Sequence, residues 1–214
     1  IFAFAAGMLA GLVTGILHTV LGIPDILSGI LTQIALYSVN MNIMGRSNQA
    51  VSVDKYNLVV SLRYIPAAIV TTILFLVVII GVLYWYFGTE QGFTIRATGC
   101  NPNMSRAQGI NTNFAKVLAL VISNGLVGLA GGLYAQYQGN SDVNMGRGAI
   151  VIGLAAVIIG EVLGEAIFGK RLNFIGRLAF VAIGAIIYYV VIAFVLWLGL
   201  PSEDMKLFSA IVVA

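Results

Sequence analysis

The side chains that could carry chemistry are few. Glu161 and Glu165 stand four residues apart, which puts two carboxylates on one helix face. In a soluble enzyme that pair would suggest general acid–base work. Here both lie in the apolar run Ala149–Phe168, and the ordinary reading is a helix end emerging near Gly164–Lys170, with Glu165 reaching Gly169–Arg171 or water. Glu161, one turn deeper, is the candidate for a buried functional carboxylate, because ionisable groups inside a membrane are costly and mark pathways or relays. His18 is the one histidine and a second candidate, although its place close to the Gly22-Ile23-Pro24 break also suits a ring facing the headgroups. Cys100 is the single cysteine of the 214 residues, so it has no partner among them for a disulfide or a thiolate metal site. No cofactor or metal site is predicted. No G-x-x-x-x-G-K-[ST] phosphate loop occurs, so these residues do not hydrolyse ATP by that route.

The elements that must position these groups are membrane spans. Sixty per cent of the residues are hydrophobic and 9% are charged, with a mean hydropathy of +1.01. Soluble domains carry about 25% charged residues, enough to cover a wetted surface. At ~20 apolar residues per span, the length allows roughly six or seven. The apolar runs are continuous, as in Ala67–Phe87, and lack the alternation of a β-barrel. The fold class is therefore all-α, a polytopic membrane protein embedded in a lipid bilayer. A net charge of +3, without a basic cluster interleaved with aromatics, argues against nucleic acid as a partner. The chain begins inside an apolar run at Ile1 and stops inside another, Ile211–Ala214, with no charged n-region or cleavage site; the expectation is a portion of a longer chain, with further spans beyond its ends.

Along the chain, Ile1–Leu21 carries Gly7, Gly11 and Gly15 on one face, which suits close approach of another helix. Pro24 suits the first turn of a new helix. Ile26–Met44 is dense in polar residues for a span. Ser28, Thr32 and Tyr37 can lie near one face, with Asn40 beyond them. Such groups either bond between helices or line a solute path. Gly45–Arg63 is a polar connection whose alternation, in Val51-Ser52-Val53 and Leu58–Leu62, permits a short hairpin or interfacial segment. Ala67–Phe87 closes in the aromatic belt Tyr84-Trp85-Tyr86-Phe87. Phe114–Gln136 has a small-residue face of Gly125, Gly128, Gly131 and Gly132. Asn173–Leu198 follows a basic turn, Lys170–Arg177, and Pro201–Asp204 has helix-start chemistry.

Between these blocks, Gly92–Asn113 is the one long polar passage. Asn101 can cap a short helix, Pro102 fits its first position, Gly109 can stop it, and Arg106 would sit on its exposed side. With Gly88–Lys116 placed in the cytoplasm, Ile23–Asp25 is also cytoplasmic and Gly45–Arg63 external, although three basic residues there leave charge a weak guide. The segment 1–44 and the segment 114–168 share a plan: a glycine-rich span, a break, and a second span dense in polar or glycine positions. An odd number of crossings separates them, which makes two inverted repeats, a transporter signature.

These residues resemble a family. Ile95-Arg96-Ala97-Thr98-Gly99, Asn101-Pro102 and Arg106-Ala107-Gln108-Gly109-Ile110-Asn111 are similar to the cytoplasmic loop of ABC-importer permeases of the branched-chain amino acid and simple-sugar class, with Ser105 and Arg106 about where the family has alanine. Ile23–Thr32 resembles its first repeat. Gly153–Gly160 resembles its second, where Glu161 replaces a common glycine. Leu36–Asn40 with Ile43–Gly45 resembles a subgroup associated with aromatic amino acids. The resemblance implies a non-enzymatic, multi-pass subunit of the bacterial plasma membrane. It also implies one cytoplasmic ATP-binding subunit per permease, an external solute-binding protein, and a second permease subunit in a homo- or heterodimer. In that family the polar loop is a coupling helix docked in a groove of the ATPase, so Arg96, Asn101, Pro102, Ser105, Arg106, Gly109 and Ile110 are the candidate coupling residues. Ser28, Thr32, Tyr37, Asn40 and Glu161 are the candidate solute path. The same family also takes sugars and nucleosides. The rivals from other classes are an ion-coupled secondary transporter using Glu161, Glu165 or His18, and a channel or structural subunit.

Overall fold

The computed structural model describes residues 1–51, 58–61, 65–146, 149–169 and 173–197. They form two compact units, Ile1–Met145 and Gly146–Ala214. In the first, α1 is Phe2–Thr19, α2 Asp25–Met44, β1 Asn48–Ala50, α3 Ile65–Phe87, α4 Glu90–Cys100, α5 Pro102–Ala107, α6 Thr112–Gln138 and β2 Asn140–Asp142. In the second, α7 is Ala149–Phe168 and α8 Phe174–Trp197. Six described helices (α1, α2, α3, α6, α7 and α8) are long and apolar enough to cross a membrane. Their large side chains point outward, among them Val70, Leu74, Val77 and Trp85 of α3. That arrangement suits lipid, which solvates apolar side chains while each helix satisfies its own backbone.

The first unit is built on the α1–α6 seam. The helices run antiparallel. A Cβ at Gly7 would strike the Asn124 carbonyl, one at Gly11 the Leu120 carbonyl, and one at Gly15 would lie 3.1 Å from Val117 Cα. From the other side, a Cβ at Gly128 would strike the Ala3 carbonyl. Glycine lets the two backbones touch, and in lipid such packing replaces the hydrophobic drive that operates in water. Gly125 belongs to the same face, against Phe4 and Met8, whereas Gly131 faces open space.

Two contacts set the ends of this unit. At one, β1 pairs antiparallel with β2, Asn48 opposite Asp142 and Ala50 opposite Asn140, so the C-terminal ends of α2 and α6 lie on the same side. At the other, the end of α1 meets the start of α6 through His18 and Lys116, 3.0 Å apart. This agrees with the expected sidedness, in which Ile23–Asp25 and Gly88–Lys116 share one side and Gly45–Arg63 faces the other.

The all-α polytopic plan holds, with two three-residue strands added to it, and the structure corrects two expectations. β1 pairs with β2, which follows α6, because the seam brings the two chain segments together; the expected hairpin or interfacial segment falls largely on Ser52, Val53, Asp54, Lys55, Leu62 and Arg63, which lie outside the described residues, as do Lys170, Arg171 and 198–214. The passage Gly92–Asn113 is mostly helical. Thr89 caps α4, its Oγ1 accepting from the Gly92 N–H at 3.4 Å, and Glu90 stands in the first turn, where an acid favours the helix dipole. Finally, Tyr37 does not share a face with Ser28 and Thr32. At about 100° per residue, a position nine residues beyond Ser28 points roughly 180° away.

In the second unit α7 and α8 are also antiparallel. A Cβ at Gly160 would lie 2.5 Å from the Phe180 carbonyl, and one at Gly184 would strike the Ala156 carbonyl. Ala155, Tyr188 and Ile192 are buried together, with Ile152 and Ile159 packed against them.

Candidate coupling site

Local chemistry builds α5. The Asn101 Oδ1 accepts from the Met104 N–H at 3.0 Å, and Pro102 occupies the first turn, where its missing N–H costs nothing. The helix ends at Gly109, whose φ of +83° is closed to residues with a Cβ. The Ile110 N–H then donates to the Ser105 carbonyl at 3.0 Å. Ser105 is the buried side of α5, its hydroxyl donating to the Asn101 carbonyl at 3.0 Å. Pro102, Asn103, Met104, Arg106 and Ala107 are exposed.

Arg106 is exposed, as expected, but its head group is held: the Nε–H donates to the Thr112 hydroxyl at 2.9 Å. Thr112 is buried at the first position of α6, and Asn111 caps that helix, its Oδ1 accepting from the Phe114 N–H at 3.1 Å. Arg96 stands on α4 with its guanidinium 5.8 Å from the Phe93 ring centroid. α4 itself packs on α6 and on α3. Its Gly92 admits no Cβ because the Phe87 backbone lies against it. The seven candidate coupling residues thus fall in one segment, α4 to the start of α6, with α5 as its outermost helix.

The candidate path residues are dispersed. Ser28 and Thr32 are buried, 1% and 6% exposed. Thr14 donates to the Thr32 hydroxyl at 2.9 Å, Thr32 donates to the Ser28 carbonyl at 2.9 Å, and Ser28 to the Asp25 carbonyl at 2.8 Å. That run ties α1 to α2. Tyr37 and Asn40 are exposed on other faces of α2, and Glu161 and Glu165 are exposed on α7. Among the described residues no three His, Cys, Asp or Glu side chains converge as a metal set would.

Sequence reasoning missed three partners: Thr14 for Thr32, Thr112 for Arg106, and Lys116 for His18. Thr14, His18 and Lys116 each stand out as polar residues in or beside apolar runs, but no local pattern pairs residues 98 positions apart.

The described residues make a polytopic helical protein with six candidate membrane spans and a short capped helix in its polar passage. The chain belongs to the family described as the permease component of branched-chain amino acid transport systems, which matches residues 1–214. It is 39% identical over 213 residues to a tyrosine transport system permease protein of Clostridioides difficile, covering 100% of this chain and 69% of that one. It is 32% identical over 215 residues to an uncharacterized protein of Rickettsia prowazekii, covering 99% and 75%. It is 28% identical over 218 residues to a galactofuranose transporter permease protein of Escherichia coli, covering 99% and 60%. No solved structure matches the chain. It is a transport subunit of the ABC-permease kind, which works with ATP-binding and solute-binding partners.

Proposed function

We propose that this chain is the permease part of an ATP-driven importer of the bacterial plasma membrane that takes up an aromatic amino acid, with α5 as the element that docks on a separate ATPase. The observation that carries the docking reading is the build of α5: a helix capped by Asn101, stopped by Gly109, and tied to α6 through Arg106 and Thr112. A six-residue helix with five exposed positions and a tether to a span can pass a rigid-body push into the membrane. Energy comes from ATP hydrolysed by the docked subunit, and an external binding protein delivers the solute. The aromatic solute rests on the relative named for tyrosine, at 39% identity against 28% for the galactofuranose relative.

The antiparallel α1–α6 pair supports the inverted-repeat reading of segments 1–44 and 114–168, since a two-fold axis in the membrane plane relates antiparallel first helices. A second permease subunit completes the path, with Ser28, Thr32, Tyr37, Asn40 and Glu161 as its candidate lining. The test is uptake of labelled tyrosine by vesicles holding the full transporter. Inactivating the ATPase should abolish uptake, and collapsing the proton gradient should spare it. Uptake that follows the proton gradient and ignores the ATPase overturns the reading.

A further inference from the structure

His18 has both ring nitrogens engaged. Nδ1 lies 2.9 Å from the Ile23 carbonyl oxygen and 2.7 Å from Asp25 Oδ1, while Nε2 lies 3.0 Å from Lys116 Nζ. The partners fix the tautomer. A carbonyl only accepts, so Nδ1 carries the proton; an ammonium only donates, so Nε2 presents its lone pair. The imidazole therefore bridges α6 on one side to the α1–α2 break and the first residue of α2 on the other. His18 is mostly shielded, its side chain 18% exposed.

The bridge is in register with the coupling segment. Thr112, which holds Arg106 of α5, and Lys116, which holds His18 of α1, are four residues apart and so lie on one face of the first turns of α6. Beyond His18 the chain turns out of α1 at Gly22. Gly22 is left-handed, with φ of +67° and no atom near its missing Cβ, and the Ile23 N–H reaches back to the Leu17 carbonyl at 3.2 Å. A short segment with a glycine in that region can absorb a rotation of the helix that follows it.

We infer that His18 is a positioning residue for transport: through Lys116 and Asp25 it carries displacement of α5 and α6 into the Gly22–Asp25 break and so re-aims α2, the helix of Ser28 and Thr32. The contact joins the coupling segment to the polar helix without passing through lipid-facing side chains, and the glycine seam holds α1 against α6 so that the bridge is loaded when α6 moves. The inference rests on α5 being the docking element, and the experiment separates the two.

The intact transporter, permease with its ATPase, is prepared in a Cys100→Ser background with spin labels at exposed positions. One pair reports α5 against α6, from Met104 to Val127; the other reports α2 against α6, from Ile26 to Val127. Distances are compared between nucleotide-free and ATP-trapped protein. Both pairs should shift in the parent. Lys116→Met should keep the α5 shift and lose most of the α2 shift, and Lys116→Arg, which restores a donor, should recover it. His18→Phe should behave as Lys116→Met does. If α5 moves and the α2 shift survives in Lys116→Met and His18→Phe, the bridge carries nothing and the inference falls. If α5 itself does not move in the parent, the docking reading fails, and the inference with it.

Discussion

The Nε–H of Arg106 donates to the hydroxyl of Thr112 at 2.9 Å, across the turn that separates α5 from α6. This bond makes the short helix an extension of a span rather than a free loop. Arg106→Glu removes the donor and places a carboxylate beside the capped start of α6. Gly109→Pro demands a φ near −65° where the chain has +83° and deletes the N–H that donates to the Arg106 carbonyl at 3.0 Å. The double variant should insert normally and let the ATPase turn over without uptake. The ratio of ATP hydrolysed to solute imported in reconstituted vesicles is the measurement, and an unchanged ratio would sink the coupling assignment.

The cap on α5 is separable from that tether. Asn101→Ala leaves the Met104 N–H without its acceptor, and loss of such a cap costs about 1 kcal/mol. Hydrogen exchange should then quicken at the Met104 amide by roughly fivefold, since about 1 kcal/mol corresponds to that factor, with no change in the middle of α6. Asn101→Asp should keep most of the protection.

Close approach along α1 and α6 predicts a contrast between two glycines. Gly11→Val would drive a branched side chain into the backbone of Leu120 and Val121, with a Cβ 2.8 Å from the Leu120 carbonyl carbon. Overpacking of this kind costs about 1–3 kcal/mol. Gly131→Ala, on the same sequence pattern but facing open space, should be neutral or slightly stabilising. Thermal unfolding in detergent distinguishes them; equal losses would show that the seam is not where the structure puts it.

Thr14 and Thr32 form the buried hydrogen bond between α1 and α2. Interhelical bonds of this type average about 0.6 kcal/mol and reach about 1.7. A double-mutant cycle of Thr14→Val and Thr32→Val should return a coupling of that size. Each hydroxyl also lies within bonding distance of a carbonyl one turn back in its own helix, Thr14 to Ala10 at 3.0 Å and Thr32 to Ser28 at 2.9 Å, so the single variants should cost similar amounts. A coupling energy of zero would mean that the two hydroxyls do not meet.

Several features were legible from residue order because their causes are local. Apolar run lengths marked all six candidate spans, since a bilayer sets the length of whatever crosses it. Asn101, Pro102 and Gly109 foretold where α5 starts and stops, because caps and left-handed glycines act within a few residues. The glycines of α1 announced a close partner. They did not say which one, and Gly131 shows that a small residue in the same pattern can face away. α4 escaped notice because its apolar residues, Phe93, Ile95 and Ala97, are interleaved with Thr94, Arg96 and Thr98 and form no apolar stripe at helical spacing.

Residue order by itself thus determined that this is a helical membrane protein with a capped helix in its one long polar passage, because hydrophobicity and capping are short-range properties. Only the tertiary structure decided that α1 lies against α6, that Ser28 and Thr32 are turned into a helix contact while Tyr37 points away, and that His18 stands between Lys116 and Asp25. Those pairings depend on which surfaces fit when whole helices meet, and a contact between residues 98 positions apart leaves no trace in the neighbourhood of either.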